Sequence, residues 1–411
     1  MKICFFTENY YKGGLDTFFI NLMNAWPNQL DDLTLMCNAS HPGLETIVSK
    51  LMRPVCIIKY SRVFTSKFVQ SLSFSKVGQF FVTRFLVKFI YRILYYPILL
   101  PWYLISLTIT FRRSDFDRLM VVNGGYPGSL LCRCAAIAWR LSGKRPLAIF
   151  NFHSLAIKPF FMLSWIENLI DLVIVQSVSQ IVSVSQAALD SLINRKSFLG
   201  ILNTRYIHNG ITDPAQYKID DKICYEGGDG SYTNYCLMLA TYSPYKGHLY
   251  LLSAFKLVLI EFPDIKLFIY GYGKAHDIKQ VEEDVKNLGL ERNVILHGFV
   301  LDPYNLISNA RMLVVPSQAF ESFGLTIIEA MALSTPIVAT DVGGIPEVLA
   351  GTDAGYICSK SDPLKFAEAM KRIIRDFDLA KKLGENGRKA FQQRFAAPAM
   401  AQKYEALFKI E

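Results

Sequence analysis

Short apolar runs alternate with longer segments of helical period through most of this chain. The runs Ile3–Thr7, Leu33–Cys37, Val55–Ile58, Arg118–Val122, Leu147–Phe150 and Gln180–Val184 have strand length and little polar alternation. Strands buried on both faces read this way. Helical patterns such as Leu15–Trp26 and Ser129–Leu141 lie between them. The alternation restarts near Thr204, with predicted strands Arg205–His208, Tyr235–Leu239, Lys266–Tyr270, Val294–His297, Met312–Val315 and Pro336–Thr340. Predicted helices follow at Gly247–Glu261, His276–Leu288, Tyr304–Ala310, Leu325–Ala332 and Pro363–Asp376, and the Gly- and Asp-rich stretch Tyr225–Asn234 reads as a loop. Strand–helix alternation of this kind predicts an α/β protein with parallel sheets covered on both faces. The restart divides it into an N-terminal domain over residues 1–205 and a C-terminal domain over 206–390. The tail Asp378–Phe408 is helical in its spacing (Leu383, Phe391, Phe395, Tyr404), and residues 391–411 are expected to cross back onto the first domain.

Length agrees with that division: 411 residues suit two domains of about 200 each. With 51% hydrophobic residues the chain can fill two cores, which excludes a disordered or low-complexity protein. The formal charge of +9 is concentrated in one place. Between Glu45 and Asp115 there are eleven basic residues and no acid, and the rest of the chain, with 33 basic and 35 acidic residues, sums to −2. Within that interval Arg84, Lys88 and Arg92 share a helical face beside Phe81, Phe85 and Phe89, and Ile93–Phe111 is nineteen residues without a charge. A basic and aromatic segment over about residues 62–113 is therefore expected to lie on an anionic membrane surface, with Pro97, Pro101, Trp102 and Tyr103 favouring a broken interfacial or re-entrant hairpin over a single span. The opposing reading is a set of buried helices packed on the sheet. A patch this apolar argues against nucleic acid. The eight scattered cysteines form no zinc pattern and, without a signal peptide, read as reduced thiols of a cytoplasmic protein on the cytoplasmic face of the membrane.

Chemistry concentrates in Pro316–Ala330, where the strand Met312–Val315 ends in a loop and a helix starts near Gly324. A helix N-terminus at the carboxyl edge of a parallel sheet offers free backbone N–H groups, here those of Ser322, Phe323, Gly324 and Leu325, to a phosphate. Glu321 before the helix and Glu329 inside it would repel an anion, so they suit hydroxyls on either side of a diphosphate. Two glutamates alone would ordinarily be a cap and a solvated helix residue. The glycine and the segment Pro336–Gly344 that follows turn the reading toward a ligand site. Lys246–Gly247, at a strand-to-helix turn, adds an ammonium able to neutralise a leaving diphosphate.

Glu321 and Glu329, followed by Ala339-Thr-Asp-Val-Gly-Gly-Ile-Pro-Glu347, resemble the donor half of the family-four retaining glycosyltransferases. The resemblance extends through Ile207-His-Asn209-Gly210, Ser243-Pro-Tyr-Lys246-Gly247, Tyr270-Gly271-Tyr-Gly273 and His297-Gly-Phe299, most of residues 200–395, and in the first half through Gly13–Gly14, His153 and Val184–Ser185. It implies the GT-B fold, two Rossmann-like parallel-sheet domains facing across a cleft. It also implies that Glu329 holds the ribose hydroxyls, Glu321 and His153 meet the donor sugar, Lys246 meets the diphosphate, Gly13–Gly14 lie near the phosphates and acceptor, and backbone near His297–Val300 meets the base. One departure stands out: Ala240–Thr241 replaces the family's Gly-Arg, and Lys274 is one possible substitute cation.

The expected reaction is transfer with retention from a nucleotide diphosphate sugar to a lipid-linked or other glycan acceptor, as in assembly of bacterial surface polysaccharides such as lipopolysaccharide. No cofactor or metal is expected, since no Asp-x-Asp closes a strand. Two other readings stay open: an inactive homologue serving as partner of an active transferase, and a nucleotide-sugar epimerase. A dehydrogenase is a poorer reading still, because neither half opens with Gly-x-Gly-x-x-Gly after its first strand.

Overall fold

The computed structural model describes residues 1–61, 95–200, 203–214, 234–300 and 302–409. They form two compact units, Met1–His208 with the chain from Ala401 onward, and Asn209–Met400. The basic part of the expected membrane segment, 62–94, and most of the Tyr225–Asn234 loop lie outside the described residues.

The first unit is built on seven parallel strands: β1 (Lys2–Thr7), β2 (Asp32–Asn38), β3 (Cys56–Tyr60), β4 (Arg118–Asn123), β5 (Ala148–Phe152), β6 (Val178–Ser183) and β7 (Thr204–Tyr206), in the order β3-β2-β1-β4-β5-β6-β7. Central strands are apolar throughout because both faces are covered; Ile3 to Phe6 are fully buried. The order runs outward in one direction from β1 and in the other from β4. Right-handed crossovers then place the helices Gly14–Asn24 and Leu44–Lys50 on one face, and Leu100–Arg113, Leu130–Leu141 and Ser164–Ser177 on the other. One strand expectation changes. The run expected to open the second half is instead β7, the edge of the first sheet, with Ile181–Ser183 paired to Thr204–Tyr206. Its Thr-Arg-Tyr sequence has no buried face of its own, so pairing alone decides where it belongs. The helix Ser164–Ser177 has no counterpart among the predicted elements, because its charged residues point inward.

The charge-free stretch is neither a hairpin nor wholly buried over its described part. A π-helical turn, Tyr95–Leu99, leads into one helix, Leu100–Arg113, with Pro97 in the turn and Pro101 in the first helical turn, where its missing N–H costs nothing. Tyr103, Leu107 and Phe111 face inward, and Phe111 meets Trp139 edge-on, 5.5 Å between ring centroids. No helix among the described residues is long and apolar enough to cross a membrane. The C-terminal helix Ala397–Phe408 finishes this unit: the Tyr404 hydroxyl accepts from Asn151 at 3.0 Å, and Phe408 packs edge-on against Phe5 and Trp26.

The second unit has six parallel strands, β8 (Tyr235–Leu239), β9 (Lys266–Tyr270), β10 (Val294–His297), β11 (Met312–Val315), β12 (Ile337–Thr340) and β13 (Gly355–Cys358), ordered β10-β9-β8-β11-β12-β13. Five coincide with predicted runs. β13 does not, because its four residues form a half-exposed edge with little apolar signal. The order reverses between β8 and β11, and ligands of open parallel sheets bind at the carboxyl end of such a switch point. The loops after β8 and β11 carry Lys246 and Glu321.

Candidate active site

Glycine packing brings the second unit's loops together. Gly247 has a left-handed backbone (φ 80°), and a Cβ there would lie 1.9 Å from the Pro316 carbonyl oxygen. The loop after β8 therefore rests directly on the loop after β11, and Gln318 N–H donates to the Tyr245 carbonyl at 2.8 Å. Gly343 (φ 58°) and Gly344 do the same one loop further on: their Cβ positions would fall 1.9 Å from the Glu321 oxygen and 2.4 Å from that of Ser322. Gly344 N–H donates to Glu321 O at 2.9 Å. Glu321 is thus held by its backbone while its side chain stays at the surface of the site.

That side chain meets Lys246. The Nζ to Oε2 distance is 2.7 Å, with both groups partly buried, and the ammonium stands 5.7 Å from the Tyr245 ring centroid. Immediately after Glu321, Gly324 adopts φ 92° and caps the helix Leu325–Ala332. The N–H groups of Gly324 and Leu325 have no backbone acceptor among the described residues, whereas Ile327 N–H donates to Gly324 O at 3.0 Å. Helix geometry leaves such leading N–H groups open to an anion. One cation and a row of donors therefore face the same spot. Glu329 lies in this helix, half-buried, and desolvation, with Asp302 adding, pushes its carboxyl up to about 7. None of the described residues donates a hydrogen bond to that carboxyl. Its charge is therefore uncompensated among the described residues.

The loops after β9 and β10 close the other side. A Cβ on Gly271 would lie 1.8 Å from Ala240 O, and one on Gly273 would lie 2.6 Å from Tyr242 Cβ. Both glycines let this loop pack directly on the loop after β8. Phe299, 56% exposed, meets Tyr272 edge-on and leaves an aromatic pair at the rim. Thr241, at the family's Arg position, accepts from Ser243 Oγ at 3.3 Å, and Lys274 caps the helix Ala275–Leu288 with its side chain exposed. Tyr242 escaped the sequence reading. Its buried hydroxyl donates to Ile269 O and His297 O (3.1 and 3.0 Å), tying the ends of β9 and β10 to the loop after β8. No sequence signal marks it beyond its place two residues before Pro244.

Other expected residues lie elsewhere. Gly210 packs on the C-terminal segment, where a Cβ would sit 2.8 Å from Ala396 O, and its N–H points to Met400 Sδ; neighbouring Asn209 is buried with Oδ1 unpaired among the described residues. Gly13, Gly14 and His153 belong to the first unit. Gly13 caps the helix Gly14–Asn24, its N–H donating to Asp16 Oδ2 at 3.2 Å, and a Cβ on it would meet open space. The His153 ring packs edge-on against Phe18 at 4.2 Å, its Nε2 is buried without a partner among the described residues, and desolvation pushes it down to about 3, so it is a neutral imidazole. Glu8 was also overlooked. It sits where the first sheet's order reverses, accepts from Tyr10 OH at 2.6 Å and from Ser129 Oγ, and burial raises its pKa.

Residues 229–390 match the family described as "Glycosyl transferases group 1". The second unit is a group 1 glycosyl transferase domain. Among curated relatives the chain is 28% identical over 300 residues to N-acetyl-alpha-D-glucosaminyl L-malate synthase of Bacillus anthracis, covering 72% of this chain and 75% of that one. It is 29% identical over 163 residues to the capsular polysaccharide biosynthesis glycosyltransferase CapM of Staphylococcus aureus, covering 40% and 42%. The chain thus spans three quarters of the first relative and under half of the second. Its fold superimposes on Anabaena HepE, solved in complex with UDP, with a TM-score of 0.70, 17% identity and full coverage of both chains. The chain has the GT-B fold, and its second unit carries the match to this glycosyltransferase family, with relatives in polysaccharide biosynthesis.

Proposed function

We propose that this glycosyltransferase takes its sugar from a nucleotide diphosphate donor and transfers it, with retained anomeric configuration and without a metal, to a lipid-linked glycan acceptor at the cytoplasmic face of a membrane. One observation carries the reading: Lys246, Glu321 and the Gly324 helix end converge at the carboxyl edge of the β8–β11 switch point, with the unpaired Glu329 carboxyl in the same helix. The diphosphate replaces Glu321 as the partner of Lys246, and Glu321 turns to the sugar hydroxyls. Ionised Glu329 accepts from the ribose hydroxyls, as in the family it resembles.

In the reaction, the bond from the anomeric carbon to the diphosphate oxygen breaks and its electron pair leaves with the phosphate. Lys246 and the N–H groups at the helix end meet that charge as it develops, which is where fixed electrostatics lowers a barrier. The acceptor oxygen adds on the same face, and its proton passes to the departing phosphate oxygen. His153, neutral and with its buried Nε2 unpartnered among the described residues, would meet the donor sugar as in the family the chain resembles. The UDP held by HepE makes a uridine donor the first to test.

Thr241 supports the rival reading of an inactive homologue, because the second diphosphate cation is missing from its usual place. The deciding measurement is donor turnover across a panel of nucleotide diphosphate sugars, with and without chelator, for the wild type, Lys246→Ala and Glu321→Gln. Saturable binding and turnover lost in both variants support transfer. Binding without turnover for every donor would favour the inactive homologue, and no binding at all would end the donor reading.

A further inference from the structure

The helix Ser164–Ser177 is turned inside out relative to an ordinary surface helix. Its acids face inward: Glu167 and Asp171, one turn apart, accept from fully buried Arg195 at 2.7 and 2.8 Å, and the Tyr126 hydroxyl also donates to Asp171. Its outward side carries Trp165, Leu169 and Leu172, continued by Phe161 and Met162 of the preceding turn; Phe161 is 89% exposed and Trp165 68%. Water alone does not select a helix that hides its carboxylates and shows its tryptophan.

The helix Leu100–Arg113 has the same character. Its inner side packs on the Leu130–Leu141 helix, and its outer side shows Trp102, Ile105 and Ile109, continued back by Ile98 of the preceding turn, before ending in exposed Arg112 and Arg113. Both helices flank Leu130–Leu141 on one side of the first sheet, so the two apolar faces belong to one side of this unit. Of the four tryptophans, Trp26 and Trp139 are buried, and the other two stand here.

We infer that this side of the first unit is a docking surface for an anionic phospholipid bilayer, seated on two legs: the outer face of Leu100–Arg113 and the outer face of residues 161–172. Charge selects the occupant. Both carboxylates between residues 154 and 189 are buried on Arg195, leaving exposed Lys158 at the edge of the second leg. The first leg ends the interval with eleven basic residues and no acid. Aromatic and aliphatic side chains rimmed by lysine and arginine fit a headgroup boundary. The second leg lies outside the 62–113 segment whose composition suggested a membrane. This inference rests on the membrane part of the proposed function and is independent of the transfer chemistry.

The test is sedimentation of the full chain with phosphatidylcholine vesicles with and without phosphatidylglycerol. Phe161→Ser/Trp165→Ser removes one leg, and Trp102→Ser/Ile109→Ser the other. The wild type partitions onto the anionic vesicles with a blue-shifted tryptophan emission, and each double variant partitions at least about tenfold more weakly. Melting temperatures stay near wild type, because these side chains are exposed. Leu169→Gln, a milder change on the same face, shows a smaller loss in the same direction. Wild-type partition in either double variant would overturn the two-leg surface. A concentration-dependent dimer that the same substitutions dissociate, with no vesicle binding, would assign the face to a second copy instead. Donor turnover in solution is unchanged in these variants, and Lys246→Ala keeps vesicle binding, so failure of one reading leaves the other standing.

Discussion

Lys246 and Glu321 neutralise each other at 2.7 Å, so each has two roles that must be separated by substitution. Lys246→Ala removes the charge that meets the leaving diphosphate, and we expect turnover to fall by about two orders of magnitude or more, with a smaller change in KM. Steady-state kinetics on the preferred donor checks the split. Glu329 gives a second prediction at this scale. Its carboxyl titrates near 7 in the free protein, and hydroxyl donors favour the ionised form. Donor binding therefore releases a proton, so affinity rises with pH up to about 7 and then levels. Glu329→Gln should bind more weakly and with a flat profile over the same range. Calorimetry with the intact nucleotide sugar measures this without the titration of a free terminal phosphate. A profile unchanged by the substitution would place the titrating group elsewhere.

Among elements, the site depends on loops that touch backbone to backbone. Gly324 and Gly343 both have left-handed backbones, but their surroundings differ. At Gly324 an added Cβ meets only the flexible end of Ile327, so Gly324→Ala costs about 1 to 2 kcal/mol of backbone strain. At Gly343 it would collide with the Glu321 carbonyl, so Gly343→Ala costs more and displaces Glu321. Thermal melts paired with donor titrations should rank them in that order; equal effects would mean that the loop after β12 yields freely. The sequence marks Gly271 and Gly273 through the family resemblance; that their Cα positions lie against Ala240 and Tyr242 is something spacing along the chain does not contain.

At the scale of the whole molecule, the first unit is completed by the end of the chain. Phe408 lies against Phe5 and Trp26, and Arg118 Nε donates to its carbonyl at 3.1 Å. Phe408→Ala should cost the first unit about 3 kcal/mol or more, the usual loss for emptying a buried aromatic site. Hydrogen exchange should quicken in β1 and the Gly14–Asn24 helix while β11 and β12 keep their protection. Equal loosening in both sheets would contradict the assignment of this helix end to the first unit.

The period and burial of apolar residues settled most strands, and Leu325–Ala332 end to end, because a strand covered on both faces must be apolar along its whole length. The motif around Glu321 and Glu329 was equally visible, since its glycine and its acids occupy fixed places along one loop and helix. The chain alone could not assign β7, whose three residues take their identity from the strand beside them. Nor could it expose the inverted helix Ser164–Ser177, because Arg195, which draws Glu167 and Asp171 inward, is brought to them only by folding. Short-range pattern records which residues prefer to be buried; where a charge finds its partner across the fold, three-dimensional packing decides which face turns outward.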